Sequence, residues 1–228
     1  MTWVKICGIT NLEDALTAVD ADADAVGFVF YEKSPRRIDA EMARSIVAGL
    51  PAHIEKVGVF VNRSAEEVAD TATRVGITAA QVYVDVEPAQ GDAECAYCFE
   101  QLTKKGPQIK LVPVLSMRRE RPEGRAMMWD PDAVYAFLLD SGSGGGQPGG
   151  TGRQFDWAGN GAAITAIKSL ARVIVAGGLT AGNVVEAIEI LKPWGVDVSS
   201  GVEAQPGKKD PGKVRAFIAA VREAEEKP

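Results

Sequence analysis

A (β/α)₈ barrel is the fold this sequence predicts, and three observations carry it. Eight short apolar runs alternate with longer amphipathic stretches along 228 residues. Most of those runs are nearly continuous in apolar residues, as strands buried on both faces of a parallel sheet are. Their starts recur about every twenty to forty residues, the length of a strand–helix unit. Eight such units fit the usual size of the barrel. A doubly wound open sheet is the competing topology and normally needs fewer strands. No linker divides the chain, so residues 1–228 read as a single barrel domain.

The strand runs are 4–7, 25–30, 56–61, 80–84, 109–115, 134–139, 172–176 and 196–199. Thr10-Asn11-Leu12-Glu13 reads as a capping box opening the first helix, with Leu12, Ala15, Leu16 and Val19 apolar. Residues 40–49 form the second helix. Ser64-Ala65-Glu66-Glu67 is another box, leading into Val68, Ala72 and Val75 on one face. Further helices are expected over 93–105, 161–170, 180–191 and 212–226. The stretch 117–131, broken by Pro122 and Gly124, is the weakest. Residues 142–152 are glycine-rich; a long loop between one strand and its helix reads as a lid or substrate loop.

Lys plus Arg total 25 against 31 for Asp plus Glu, a net charge of −6. Such a chain is not built for nucleic acid or an anionic membrane, and any anion it binds is held by local groups. No apolar run approaches a membrane span, and the N-terminus lacks a signal core. Cys7, Cys95 and Cys98 are too few for a disulfide scaffold, which points to a reducing cytoplasm. One histidine, His53, leaves no basis for a multi-histidine metal centre. Cys95-Ala96-Tyr97-Cys98 is a lone CxxC and reads as two small helix residues. His53, Lys104-Lys105 and Arg118-Arg119 with Arg121 read as surface.

In this fold, chemistry sits where strands end and the following loops begin. Gly177-Gly178 and Ser200-Gly201 stand at the ends of the last two strands, the usual phosphate seat, where backbone N–H groups approach a ligand closely. Cys7 ends the first strand; as a thiolate it is a nucleophile or a proton acceptor. Asp140 ends the sixth, where a carboxyl acts as a general acid. A base and an acid on one mouth point to proton transfers on a bound phosphate ester without a metal.

Val4-Lys5-Ile6-Cys7-Gly8-Ile9-Thr10, Val26-Gly27-Phe28-Val29-Phe30, Ser34-Pro35-Arg36 and Gly58-Val59-Phe60-Val61-Asn62 resemble the phosphoribosylanthranilate isomerase family. Leu138-Leu139-Asp140-Ser141, Gly150-Thr151-Gly152, Phe155-Asp156-Trp157, Ala176-Gly177-Gly178-Leu179 and Asp197-Val198-Ser199-Ser200-Gly201-Val202-Glu203 continue the resemblance in order. It implies a (β/α)₈ barrel of tryptophan biosynthesis that performs an Amadori rearrangement on a small phosphorylated substrate, with no cofactor. It further implies that Asp140 protonates the furanose ring oxygen and that Cys7 removes the C2′ proton. Arg36 is expected to hold the anthranilate carboxylate, fork against fork. Gly177, Gly178, Ser200 and Gly201 would grip the phosphate, with Gly150 and Gly152 closing over it. Monomer and homodimer both remain open.

One segment departs from the family. Where it usually reads Gln-Leu-His-Gly, this chain has Gln81-Val82-Tyr83-Val84-Asp85, which leaves the role of the fourth strand open. Two other functions compete. The sister isomerase of histidine biosynthesis shares the Amadori chemistry but carries an aspartate where this chain has Cys7. A catalytically silent phosphate-binding barrel would have lost Cys7 or Asp140, and neither is lost.

Overall fold

The computed structural model describes residues 1–83, 99, 109–118, 121–142 and 154–226. Eight parallel strands close into a barrel in sequence order: β1 (Trp3–Cys7), β2 (Ala25–Val29), β3 (Glu55–Val61), β4 (Ala79–Tyr83), β5 (Lys110–Ser116), β6 (Ala136–Asp140), β7 (Arg172–Val175) and β8 (Gly195–Val198). Every expected strand is present within two residues of its expected start, and closure rules out the open sheet. Around them run α1 (Leu12–Asp20), α2 (Ala40–Ala48), α3 (Ala65–Val75), α4 (Pro122–Ala126), α5 (Gly161–Lys168), α6 (Val184–Leu191) and α7 (Pro211–Glu226). A 3₁₀ turn, Ser200–Val202, and a small hairpin of β9 (Glu203–Gln205) and β10 (Lys208–Lys209) follow β8. The expected helix over 93–105 and its Cys95 and Cys98, Lys104-Lys105, Arg119 and the glycines at 150 and 152 lie outside the described residues; Phe99 is helical and buried. Among the described residues no helix is long and apolar enough to cross a membrane.

Three local expectations shift. The cap of α1 is Asn11, whose side chain accepts from the backbone N–H of Asp14 at 2.9 Å, and Thr10 does not cap it. The Thr10 hydroxyl instead donates to the Gly207 carbonyl at 2.5 Å, tying this loop to the β9–β10 hairpin. Helix α6 begins at Val184 because residues 180–183 form a turn: Asn183 accepts from the Thr180 N–H and donates to the Gly178 carbonyl. Of 117–131 only Pro122–Ala126 is helical, with Pro122 in the first turn, where its missing N–H is no loss. The Ser64–Glu67 capping box forms as expected.

Alternation along the strands sorts two cores. Outward residues such as Val4, Ile6, Phe28, Phe137 and Val196 pack beneath the helices in one large cluster. Inward residues fill the barrel in smaller groups, among them Cys7, Val29 and Val59 near its C-terminal end. The opposite end is plugged by aromatics: Trp3 stacks on Trp194 at 5.2 Å, and Arg172 lies over the rings of Trp194 and Tyr135.

The seam that closes the barrel joins β1 to β8, with Lys5 opposite Asp197. Both side chains point inward, and Lys5 Nζ meets Asp197 Oδ1 at 2.7 Å with the lysine 1% exposed. Burial alone would lower the Lys5 pKa, but Asp197 and the neighbouring Cys7 outweigh it and raise it above the usual lysine range. Removing one partner of such a pair strands the other charge in the barrel, a loss of about 3–5 kcal/mol. Lys5→Met is therefore expected to lower the unfolding free energy by about that amount in urea titration, and adding Asp197→Asn to recover part of it.

Candidate active site

The C-terminal mouth of the barrel holds a cleft of about 700 Å³, counting space open to solvent. Its wall brings together residues from the ends of β1, β4, β6, β7 and β8. Cys7 lies in it, 6% exposed, and Asp140 lies in it, 3% exposed. Burial and then Asp197 raise the pKa of Asp140 above the usual carboxylate range. Burial also raises the pKa of the Cys7 thiol, with the Lys5 ammonium opposing it. The thiol is therefore not pre-ionised; its neighbours moderate a cost that burial imposes.

Gly177, Gly178 and Ser200 line the same cleft. Both glycines have positive φ, +85° and +67°, which turns the chain sharply after β7 and is open to glycine with little strain. Gly201 also has a packing role. A Cβ there would sit 1.9 Å from the Leu179 carbonyl oxygen, so its bareness lets the loop after β8 pack on the loop after β7. Gly201 adjoins Ser200, which lines the cleft.

Arg36 reaches the cleft from the loop after β2, but its fork is already engaged. Nε and Nη2 donate to the two oxygens of Glu203, each at 2.8 Å, which leaves Nη1 and the outer hydrogen of Nη2 for a ligand. Glu203 also accepts from Lys209 Nζ at 3.0 Å, and Lys209 is fully buried. Burial pushes the Glu203 pKa up, yet Arg36 and Lys209 bring it below the usual range. Asp14 completes the anchor by accepting the Lys209 backbone N–H at 2.8 Å, so α1, the hairpin and Arg36 are held as one unit.

Lys5, Gln81, Tyr83, Asp197, Glu203 and Lys209 belong to this constellation without having been assigned a role from sequence. Lys5 and Asp197 were legible as single charges inside apolar strand runs, on the same inward face as Cys7 and Ser199. On the fourth strand, Gln81 Nε2 donates to Tyr83 Oη at 3.5 Å, and Tyr83 Oη donates to Asp140 Oδ2 at 3.3 Å. Gln81 Oε1 is buried without a partner among the described residues.

The family model for N-(5′-phosphoribosyl)anthranilate (PRA) isomerase matches residues 4–220. An N-(5′-phosphoribosyl)anthranilate isomerase of Geobacter sulfurreducens is 45% identical over 218 residues, 96% of this chain and 97% of the relative. Among solved structures, one of monomers generated from the dimeric Thermotoga maritima phosphoribosylanthranilate isomerase shares 37% identity at a TM-score of 0.78, covering 98% of this chain and all of that one. A phosphoribosyl anthranilate isomerase in complex with reduced 1-(o-carboxyphenylamino)-1-deoxyribulose 5-phosphate shares 38% identity at the same TM-score and coverage. A match along nearly the whole barrel, with relatives this similar over their full length, places the chain in the N-(5′-phosphoribosyl)anthranilate isomerase family.

Proposed function

We propose that this chain converts N-(5′-phosphoribosyl)anthranilate to 1-(2-carboxyphenylamino)-1-deoxyribulose 5-phosphate, a step of tryptophan biosynthesis, by general acid–base catalysis from Asp140 and Cys7. The observation that carries the reading is one cleft holding a buried carboxyl with a raised pKa and a buried thiol beside an ammonium.

Asp140 gives its proton to the furanose ring oxygen as the C1′–O bond breaks and the anthranilate nitrogen lone pair forms an iminium. The Cys7 thiolate then takes the C2′ proton, and the C–H electron pair becomes the C1′–C2′ double bond of an enolamine. That intermediate gains a proton at C1′ and loses one from the C2′ hydroxyl to give the ketose, so the reaction is a net isomerisation. Arg36 meets the anthranilate carboxylate through the donors Glu203 leaves open, pre-set in direction by that pair. The turn at Gly177-Gly178 and the 3₁₀ start at Ser200 seat the phosphate on backbone N–H groups. Gly150 and Gly152 are assigned to the loop that closes over it.

Within this reading the whole chain is one catalytic domain, acting as a monomer or a homodimer. A cytoplasmic location fits a mechanism that needs a free thiol.

Asp140→Asn keeps the shape of the carboxyl but cannot deliver a proton, and turnover is expected to fall about 10²–10⁴-fold. Cys7→Ser is expected to lose a comparable factor with KM little changed, because a hydroxyl is too weak an acid to ionise near neutrality. Steady-state fluorescence of anthranilate loss measures both, and activity within about tenfold of wild type in either variant removes that residue from its role.

The active form carries a proton on Asp140 and none on Cys7. It is one of the two forms that hold a single proton between the pair. Its share is constant between the two pKa values. It falls below the lower one, where both groups are protonated, and above the upper one, where neither is. A plot of kcat/KM against pH is therefore expected to be flat-topped, its acid limb above the ordinary carboxylate range and its alkaline limb above the ordinary thiol range.

A further inference from the structure

The fourth strand ends inside the cleft. Gln81 and Tyr83 sit two residues apart and so share the inward face of β4. Their side chains form a directed chain of donors: the Gln81 amide N–H to Tyr83 Oη, and the Tyr83 O–H to Asp140 Oδ2. Because Oη is occupied as an acceptor by Gln81, its hydrogen is aimed at the carboxyl. At 3.5 and 3.3 Å these are long contacts, of the kind that tighten when a ligand fills a catalytic pocket.

We propose that Tyr83, braced by Gln81, is a positioning residue that holds the Asp140 carboxyl in one orientation and sets its strength as an acid. The inference rests on the acid role given to Asp140 above.

Among the described residues, the surroundings of Asp140 leave this task to Tyr83. Across the mouth, Asp197 of β8 repels its charge, and burial disfavours the carboxylate. From β5, Ser116 pairs with it in register and brings no charge; from β7, Ala176 and Gly177 bring none. Arg118, after β5, packs by its aliphatic chain near Gly142. Lys5 and Cys7 of β1 belong to the opposite wall, where Lys5 is held by Asp197. Ser141 offers its hydroxyl to Oδ1 at 3.4 Å. Tyr83 alone among these groups is a side chain from another strand that donates to the carboxyl. Burial, then Asp140, Asp197 and Cys7, hold the phenol pKa well above its usual value, so it stays a neutral donor through the working pH range.

A donor to the carboxylate favours the charged form, so its loss lets the Asp140 pKa rise further. Tyr83→Phe is expected to move the acid limb of kcat/KM to higher pH by about one unit and to lower kcat roughly tenfold, with KM changed less than about twofold. Gln81→Met is expected to move the limb in the same direction by less. The double variant should move it no further than Tyr83→Phe alone, since both act through one hydroxyl. A purely structural tyrosine would change the melting temperature and leave the limb in place. An acid limb that coincides with wild type in Tyr83→Phe, or a defect confined to KM, overturns the proposal. Asp140→Asn, assayed alongside, separates the two failures: retained activity there removes the acid itself, whereas lost activity there with an unmoved limb in Tyr83→Phe removes only the positioning role.

Discussion

The buried ion pair between Lys5 and Asp197 is the constraint on which the rest of this molecule depends. It spans the seam where β1 meets β8 and so belongs to barrel closure, yet it also faces the cleft, where Lys5 moderates the thiol and Asp197 raises the carboxyl. A pair buried this deeply gains little net stability over an apolar one, because both ions leave water to form it. Its presence at the seam is therefore better understood through what it does to Cys7 and Asp140 than through what it adds to folding.

Those two groups face opposite demands in one low-dielectric space. Burial raises both pKa values, which helps an acid that must hold its proton and hinders a base that must lose one. The barrel resolves the conflict by placement. The ammonium of Lys5 lies two residues from the thiol on the same face of β1, while the carboxyl on β6 has an acidic neighbour and neutral donors. A similar division governs Arg36: Glu203 fixes its fork from one side and Lys209 fixes Glu203 from beneath, so the donors left over are held in a set direction.

The strand–helix alternation, the strand ends and the two candidate reacting residues were legible because each is a local property. A run such as Val4-Lys5-Ile6-Cys7 states its own burial, and Cys7 and Asp140 could be found by asking what stands at a strand end. The cap of α1 was misplaced by one residue because Thr10 and Asn11 are both good caps. A contact with Gly207, 197 residues away, decided between them. Gly201 also has a packing role that its place at a strand end did not announce, since a Cβ there would meet the Leu179 carbonyl.

The sequence by itself determined the order of elements and the chemical types gathered at the mouth, since hydrophobic patterning and residue chemistry need no partner to be read. Only the tertiary structure decided who meets whom. Lys5 and Asp197 are 192 residues apart, Arg36 and Glu203 are 167 apart, and Tyr83 and Asp140 are 57 apart. Each pairing is set by barrel register and closure. Shifting one strand by a residue would turn every inward side chain outward, so these contacts exist only once all eight strands have found their places.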